Sequence, residues 1–306
     1  MRLRITHETR YDYSPPVDRA LHMVHLKPPS THSQDLIDYR LEISPEPTVM
    51  KEAVDLYRNT RSFFEISEKH EALIVRASSL VETQAPGPIQ SGISWENARD
   101  AFIYHANMEW HRAAEFVFPS THVHPGPDFA EYARRSFSPG KPLIDAARDL
   151  MHCIHDEFEY SSNSTQISTP AAEALANRRG VCQDFSHVML ACLRSLGLPA
   201  RYVSGYLLTE PPPGMSRLVG SDASHAWVSV YLPDVAAKNG GRGWYDLCPT
   251  NHREGWGTPG DDYVRLAVGR DYADISPMRG VIHGSGTHKM VVGVTVEPTD
   301  AQALSD

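Results

Sequence analysis

The chain has 306 residues, about two domains at roughly 150 residues each, and is long enough to bury a sizeable core without disulfides or metals. Apolar residues make up 41 % and charged residues 22 %, which excludes a disordered chain, a collagen-like repeat and a disulfide scaffold. With 29 basic against 38 acidic residues the net charge is −9, so counterion release on nucleic acid offers little, and no nucleic-acid partner is expected. No apolar run approaches the eighteen or so residues of a spanning helix, so no membrane partner is expected either. The opening MRLRITHETRYDYS lacks the apolar stretch of a secretory signal, which points to a cytoplasmic protein with reduced thiols at Cys153, Cys182, Cys192 and Cys248.

Residues 1–85 read as a small, mostly β domain. LRITHETRYDY begins with alternation, LIDYRLEIS is apolar at every second position, and SFFEIS and ALIVRASSLVE are rich in β-branched and aromatic residues. The cluster QAPGPIQSG marks a boundary, and a second domain is expected over 93–298. Its first part, to about residue 140, is aromatic and His-rich with mixed periodicity, and no elements are assigned there. Leu143, Ala147, Leu150, Met151, Ile154 and Phe158 then recur at helical spacing, predicting a helix over 142–158. STPAAEAL predicts another, with Thr169 as N-cap, Pro170 at N1 and Glu173 in the first turn. In CQDFSHVMLACLRSLGLP, Phe185, Met189, Cys192, Leu193 and Leu196 form a third stripe, ended by Gly197 and Pro199.

Strands follow. ARYVSGYLL is one, then a proline-rich loop, EPPPGM, leads to SHAWVSVYLP. There His225, Trp227, Ser229 and Tyr231 share one face and Ala226, Val228, Val230 and Leu232 the other. GWYDLCPTN and the tail HKMVVGVTVEP complete the set. Helices first and strands afterwards predict an α+β fold with an antiparallel sheet.

Cys182 stands where a Gly-containing turn enters a buried helix. Free N–H groups and the positive end of the helix dipole favour a thiolate there, and Arg178 and Arg179 add positive charge nearby in sequence. Gly180 would let a substrate carbonyl approach the backbone. Cys192, on the apolar stripe, reads instead as a small buried hydrophobe. His225, after Asp222 and Ser224, opens a strand beside a loop, a position from which an imidazole can reach a neighbouring helix terminus as a base. A third group that holds the imidazole in one tautomer usually completes such a pair. Asp246, one pleat repeat from Cys248, is a candidate; a solvated strand-end carboxylate is the equally weighted alternative.

Four segments together resemble the bacterial transglutaminase-like family, a branch of the papain-like cysteine enzymes: Gly180-Val-Cys-Gln-Asp-Phe-Ser-His187, Leu198-Pro-Ala-Arg-Tyr-Val-Ser-Gly-Tyr206, Asp222-Ala-Ser-His-Ala-Trp227 and Gly243-Trp…Pro249-Thr-Asn251. FEYSSNSTQISTPAAEAL resembles the family's lead-in, AVGRDYADISPMRGV its C-terminal block, and the N-terminal β domain its separate first domain. The resemblance spans nearly the whole chain, with core motifs over 158–251. It implies a transglutaminase-like, papain-like core with Cys182 as nucleophile and His225 as base, acting on a peptide or amide substrate without cofactor or calcium. Hydrolysis is slightly favoured over transamidation.

One departure stands out. The family closes its triad with an aspartate directly before Pro-Thr-Asn, and here that position is Cys248. A neutral thiol is a weak acceptor and does not stabilise imidazolium as a carboxylate does. Three readings follow: Asp246 substitutes, the enzyme is slow, or the domain is a binding or assembly module. If Cys182 and Cys248 flank the same ring, oxidation joins them, provided their Cα atoms lie within about 7 Å. Other motifs are weaker. Gly255-Trp-Gly-Thr-Pro-Gly260 matches G-x-G-x-x-G but lacks a following helix, and Asp261-Asp262 opposes a pyrophosphate. His152 and His155, with Cys153, His122 and His124, offer an i,i+3 spacing that can share a metal, but H-E-x-x-H and a paired cysteine knuckle are absent, so no metal is expected. No G-x-S-x-G occurs.

Overall fold

In the computed structural model, residues 1–106, 109–161, 169–209, 224–284 and 286–299 are described; Asp222 and the EPPPGM loop lie outside them. The N-terminal region is all strand: β1 (Arg2–Val17), β2 (Arg19–Val24), β3 (Gln34–Ser44), β4 (Val49–Val54), β5 (Thr60–Ile66) and β6 (His70–Thr83). Along β1 the alternate residues Leu3, Ile5, His7 and Thr9 are buried, as period-2 patterning requires of a strand with one covered face.

The helical layer comprises α1 (Trp95–Asp100), α2 (Pro127–Arg134), α3 (Leu143–Glu157), α4 (Ala171–Asn177) and α5 (Cys182–Ser195). A 3₁₀ turn over Arg112–Val117 fills part of the stretch that periodicity left unassigned, and two-residue strands β7 (Glu159–Tyr160) and β8 (Arg179–Gly180) pair in parallel just before α5. All six predicted apolar residues of α3 and its C-cap are buried. The predicted start of α4 shifts by one: Pro170, in extended backbone, is the N-cap, because its fixed φ suits the turn into the helix while the first helical residue is Ala171. α5 departs further from a single stripe. Every residue from Gln183 to Arg194 is buried, because α2, α3 and α4 cover one side and a sheet the other.

That sheet contains β9 (Ala200–Leu207), β10 (Ser224–Tyr231), β11 (Trp244–Cys248), β12 (Arg253–Trp256) and β13 (Tyr263–Gly269), in the antiparallel order β12-β11-β10-β9-β13. Short helices α6 (Pro233–Lys238) and α7 (Tyr272–Ile275) cap its ends. The alternation along β10 holds as expected. Ala226, Val228 and Val230 join the helical core, and Trp227 turns to the opposite face with Cys248 and Tyr263.

The tail differs from expectation. Patterning grouped it with the second domain, yet β14 (Met278–His283) pairs with β2 and β15 (Thr287–Pro298) pairs with β1 over Leu3–Ser14. The first domain thus has two four-stranded sheets, β15-β1-β6-β3 and β14-β2-β5-β4, each with one strand from the chain's other end. Backbone hydrogen bonding carries no sequence label, so a late strand pairs wherever an open edge remains. The β domain packs on the central sheet through Tyr206, Val264 and Leu266, which share a core with Leu3, Ile5 and Phe64.

Burial holds four histidines neutral. It lowers His7, His22 and His225 to about 4 and His187 to about 3. Their folded values lie below the unfolded value near 6.5, so the unfolded chain takes up protons first as pH falls. The stability they contribute is complete above about pH 6.5 and is lost toward pH 4, each histidine adding up to about 1.4 kcal/mol per pH unit. Urea unfolding midpoints between pH 7.5 and 4.5 are expected to fall steeply below pH 6.5; a flat profile would contradict neutral burial.

Candidate active site

Cys182 is the first residue of α5, and its position is set by the turn before it. The Val181 N–H donates to Asp184 Oδ2 at 2.8 Å, tying the helix entry to the third residue of its first turn. Gly180 has its reason here rather than in substrate approach: a Cβ would lie 2.6 Å from the Asp184 carboxylate. The half-buried Cys182 sulfur accepts hydrogen bonds from the backbone N–H groups of Gln183, at the helix end, and of Ala226, on β10. Burial nevertheless pushes the thiol up to about 11, with the Cys248 and Asp184 charges acting in the same direction.

The two arginines do not supply the expected field. Arg178 adopts left-handed backbone (φ 50°) and lies over the Tyr132 ring at 4.4 Å, with its Nη1 donating to the Leu175 carbonyl. Arg179 pairs with Glu159 at 2.6 Å. Among the described residues, the groups that favour the Cys182 thiolate are the two amides.

His225 sits on β10 next to Ala226 and opposite Gly205 of β9. That glycine is required by packing: a Cβ would lie 2.1 Å from the Val264 carbonyl and 2.5 Å from the Trp227 ring. His225 Nε2 faces Cys248 Sγ at 3.1 Å, and the Asn251 side-chain nitrogen stands 3.3 Å from the same ring nitrogen. Cys248, at the end of β11, is fully buried. Its sulfur accepts from the Tyr263 hydroxyl and from the backbone N–H groups of Asn251 and Thr250. Burial raises its pKa; these three donors and Arg253 act the other way. Asn251 Nδ2 also donates to the Tyr263 oxygen at 3.0 Å.

Asp246 is not brought to the imidazole. Strand register sets it opposite Ser229, and its two oxygens accept from Trp227 Nε1, at 3.0 Å, and from the Ser229 hydroxyl. It is fully buried, so the solvated strand-end alternative does not hold either. The arrangement thus joins Cys182, Ala226, His225 and Cys248 and adds Asn251 and Tyr263. Asn251 lay inside a quoted segment but had no assigned role. Tyr263, in DDYVRLAV, carried no motif signal; only the β13–β9 pairing reveals it.

The remaining candidates are occupied otherwise. His155 Nδ1 stands 3.2 and 3.1 Å from the Pro249 and Thr250 carbonyls, so it is a donor there. The His152 ring meets His252 edge-on at 4.1 Å, His122 stacks on His187 at 5.4 Å, and Cys153 faces Ser136. Among the described residues no group of three or more His, Cys, Asp or Glu side chains is arranged to hold a metal ion. Gly260 is followed by a strand rather than a helix, and Arg253 pairs with Asp262. All four cysteines are free.

A cysteine at the N-terminus of a buried helix, packed on an antiparallel sheet that presents a histidine, is the architecture of the papain-like fold. The comparisons narrow this. Residues 3–82 match the bacterial transglutaminase-like N-terminal region and residues 130–249 the transglutaminase-like superfamily. An uncharacterized protein of Mycobacterium tuberculosis H37Rv is 38 % identical over 309 residues, covering 99 % of this chain and 95 % of that protein. One from Mycobacterium leprae is 30 % identical over 298 residues, covering 96 % and 98 %. A Pseudomonas aeruginosa protein-glutamine gamma-glutamyltransferase is 28 % identical over 124 residues, which is 40 % of this chain and 17 % of that one. A solved chain from Cytophaga hutchinsonii, described as a proposed cysteine protease, shares the fold with TM-score 0.71 at 21 % identity, covering 98 % and 92 %. The protein belongs to the bacterial transglutaminase-like family, a class of cysteine-type enzymes.

Asp246→Ala is expected to act on stability. It leaves two buried donors without an acceptor and removes a charge that favours Arg201 and Arg265, a loss of about 3 kcal/mol. Chemical denaturation measures it, and a change confined to catalysis at unaltered stability would contradict this placement.

Proposed function

We propose that the protein carries out cysteine-dependent acyl transfer on amide or peptide bonds, with Cys182 as nucleophile and His225 as base. The observation that carries this reading is the contact of the Cys182 sulfur with the Ala226 amide, one residue past an imidazole whose Nε2 is engaged by Cys248. With Nε2 engaged, Nδ1 is the ring nitrogen left for Cys182. The Cys182 proton passes to His225, the sulfur attacks the carbonyl carbon, and the C–N bond breaks as His225 returns the proton to the leaving amine. The Gln183 N–H at the helix end is suited to the developing oxyanion. Water or a second amine then resolves the thioester. We take hydrolysis as the first reading, since the relative named as a gamma-glutamyltransferase corresponds to only 40 % of this chain.

Cys248 makes the base conditional on pH. As a neutral thiol among three donors, its S–H has His225 Nε2 as acceptor, which sends the ring proton to Nδ1 and blocks it as a base. As a thiolate it accepts from Nε2–H and frees Nδ1. The raised Cys248 pKa therefore sets catalysis to strengthen as pH rises into the alkaline range. The Cys182 thiol, pushed up to about 11, favours a second reading, a binding module that retains the fold.

Alkylation of Cys182 by iodoacetamide, followed by peptide mapping, needs no substrate. At alkaline pH, where Cys248 ionises and frees Nδ1, wild-type Cys182 is expected to react at least tenfold faster than in His225→Ala; equal rates there would replace the enzyme reading with the binding module. In Cys248→Asp a permanent acceptor faces Nε2, so the rise of the alkylation rate is expected to move to lower pH, with at least a tenfold gain at pH 7. An unmoved profile would remove Cys248 from the proton relay.

A further inference from the structure

A cavity of about 980 Å³ lies at the far end of β10 from His225, between the β4–β5 turn of the first domain and the 3₁₀ turn over Arg112–Val117. Tyr231, which lines it, is six residues from His225 along the strand, roughly 20 Å away. Its walls are aromatic. Trp244 meets Phe116 edge-on at 5.2 Å and Tyr231 at 5.0 Å, and Tyr57 packs on Phe116 at 5.4 Å. Volume and lining are those of a small-molecule site.

Its inner end holds Arg201, on β9. The guanidinium lies over the Trp244 ring at 4.2 Å, and its Nε is buried without a hydrogen-bond partner. Among the described residues no carboxylate forms an ion pair with it. Arg265 opposes its charge, and Asp246, which favours it, has both oxygens committed to Trp227 and Ser229. Two partly buried guanidinium groups therefore share one carboxylate, and one positive charge is left over. Burial brings Arg201 down to about 9, the direction an uncompensated cation takes. Arg58 and Arg112 add positive charge at the mouth. Glu115, the one carboxylate among the described lining residues, accepts from the Tyr57 hydroxyl at 2.7 Å. Arg58 also adopts a left-handed backbone (φ 68°), a conformation that costs a side chain other than Gly, Asn or Asp some energy and gathers at ligand sites.

We propose that this cavity binds an organic monocarboxylate with an apolar or aromatic body. Arg201 receives the carboxylate in its planar fork, and Trp244, Phe116 and Tyr57 enclose the body. A monoanion fits the single charge left over among Arg201, Arg265 and Asp246. The same chemistry is offered by a free organic acid and by the C-terminal carboxylate of a peptide. The site stands apart from Cys182 and does not depend on the reaction assigned there.

The test uses the full chain with Cys182→Ala, so that no probe is turned over. The probes are 3-phenylpropionate, its neutral amide 3-phenylpropionamide, and Gly-Gly-Phe with a free or an amidated C-terminus. Binding is read from tryptophan fluorescence, and folding from thermal melts. Saturable binding of the free acid, at least tenfold tighter than the amide, is expected, with the preference lost in Arg201→Met and affinity lowered severalfold in Arg112→Ala. Tight binding of the free tripeptide as well identifies a peptide C-terminus; binding of phenylpropionate alone identifies a free acid. Equal affinity for acid and amide, no saturable response, or a preference that survives Arg201→Met overturns the proposal. Should Arg201→Met fail to fold, the acid–amide comparison on the parent and the exposed Arg112→Ala variant decide it.

Discussion

The burial of α5 is the constraint on which the candidate site depends. A helix covered on every side from Gln183 to Arg194 cannot slide or turn without breaking packing on both the helical layer and the sheet. Its first residue therefore has one place relative to β10, and that place is against the Ala226 amide. The same burial makes the thiol hard to ionise, so the packing that fixes Cys182 also opposes its charged form. Among the described residues the Gln183 and Ala226 amides offset this, while the arginines next in sequence are engaged by Tyr132, Leu175 and Glu159.

Sulfur in place of a carboxylate changes the character of the third position. An aspartate is a strong acceptor at every physiological pH, whereas a thiol is a strong acceptor for the imidazole N–H only once its own proton has left. Tyr263, Asn251 and Thr250 aim donors at Cys248, which offset part of the burial that opposes its thiolate. The carboxylate one pleat away has a different task. Asp246 anchors Trp227 and Ser229 beneath the sheet and is a charge that favours the partly buried Arg201 and Arg265.

The first domain is completed by two late strands. β15 runs beside β1 along nearly its whole length, and β14 covers the edge of β2, so both β-domain sheets need residues from beyond the central sheet. The contact between the domains is a continuous core and includes buried polar links, among them His7 Nδ1 to the Tyr206 hydroxyl at 3.0 Å and the Asn59 side chain to the Val268 backbone at 2.8 Å. A turn between β4 and β5 is thereby held over the end of β9 and β10, which is how Tyr57 and Arg58 come to line a cavity with Arg201.

Much of this was legible in the residues. Periodicity located α3, α5 and β10, and the faces of β10 divided as its alternation predicts, because a covered sheet leaves each side chain only two directions. Cys182 and His225 were found as a helix start and a strand start, and the four segments around them identified the family. What the residues did not contain was register. Asp246 and Cys248 differ by one pleat on the same strand, and only the pairing of Asp246 with Ser229 decides that the carboxylate reaches Trp227 while the thiol reaches the imidazole. Tyr263 enters through the pairing of β13 with β9, and the tail enters the first domain through an open sheet edge. Helical and strand character is written in local side-chain pattern, whereas register, edge pairing and the partners of buried charges arise from contacts between distant segments, which tertiary packing alone decided.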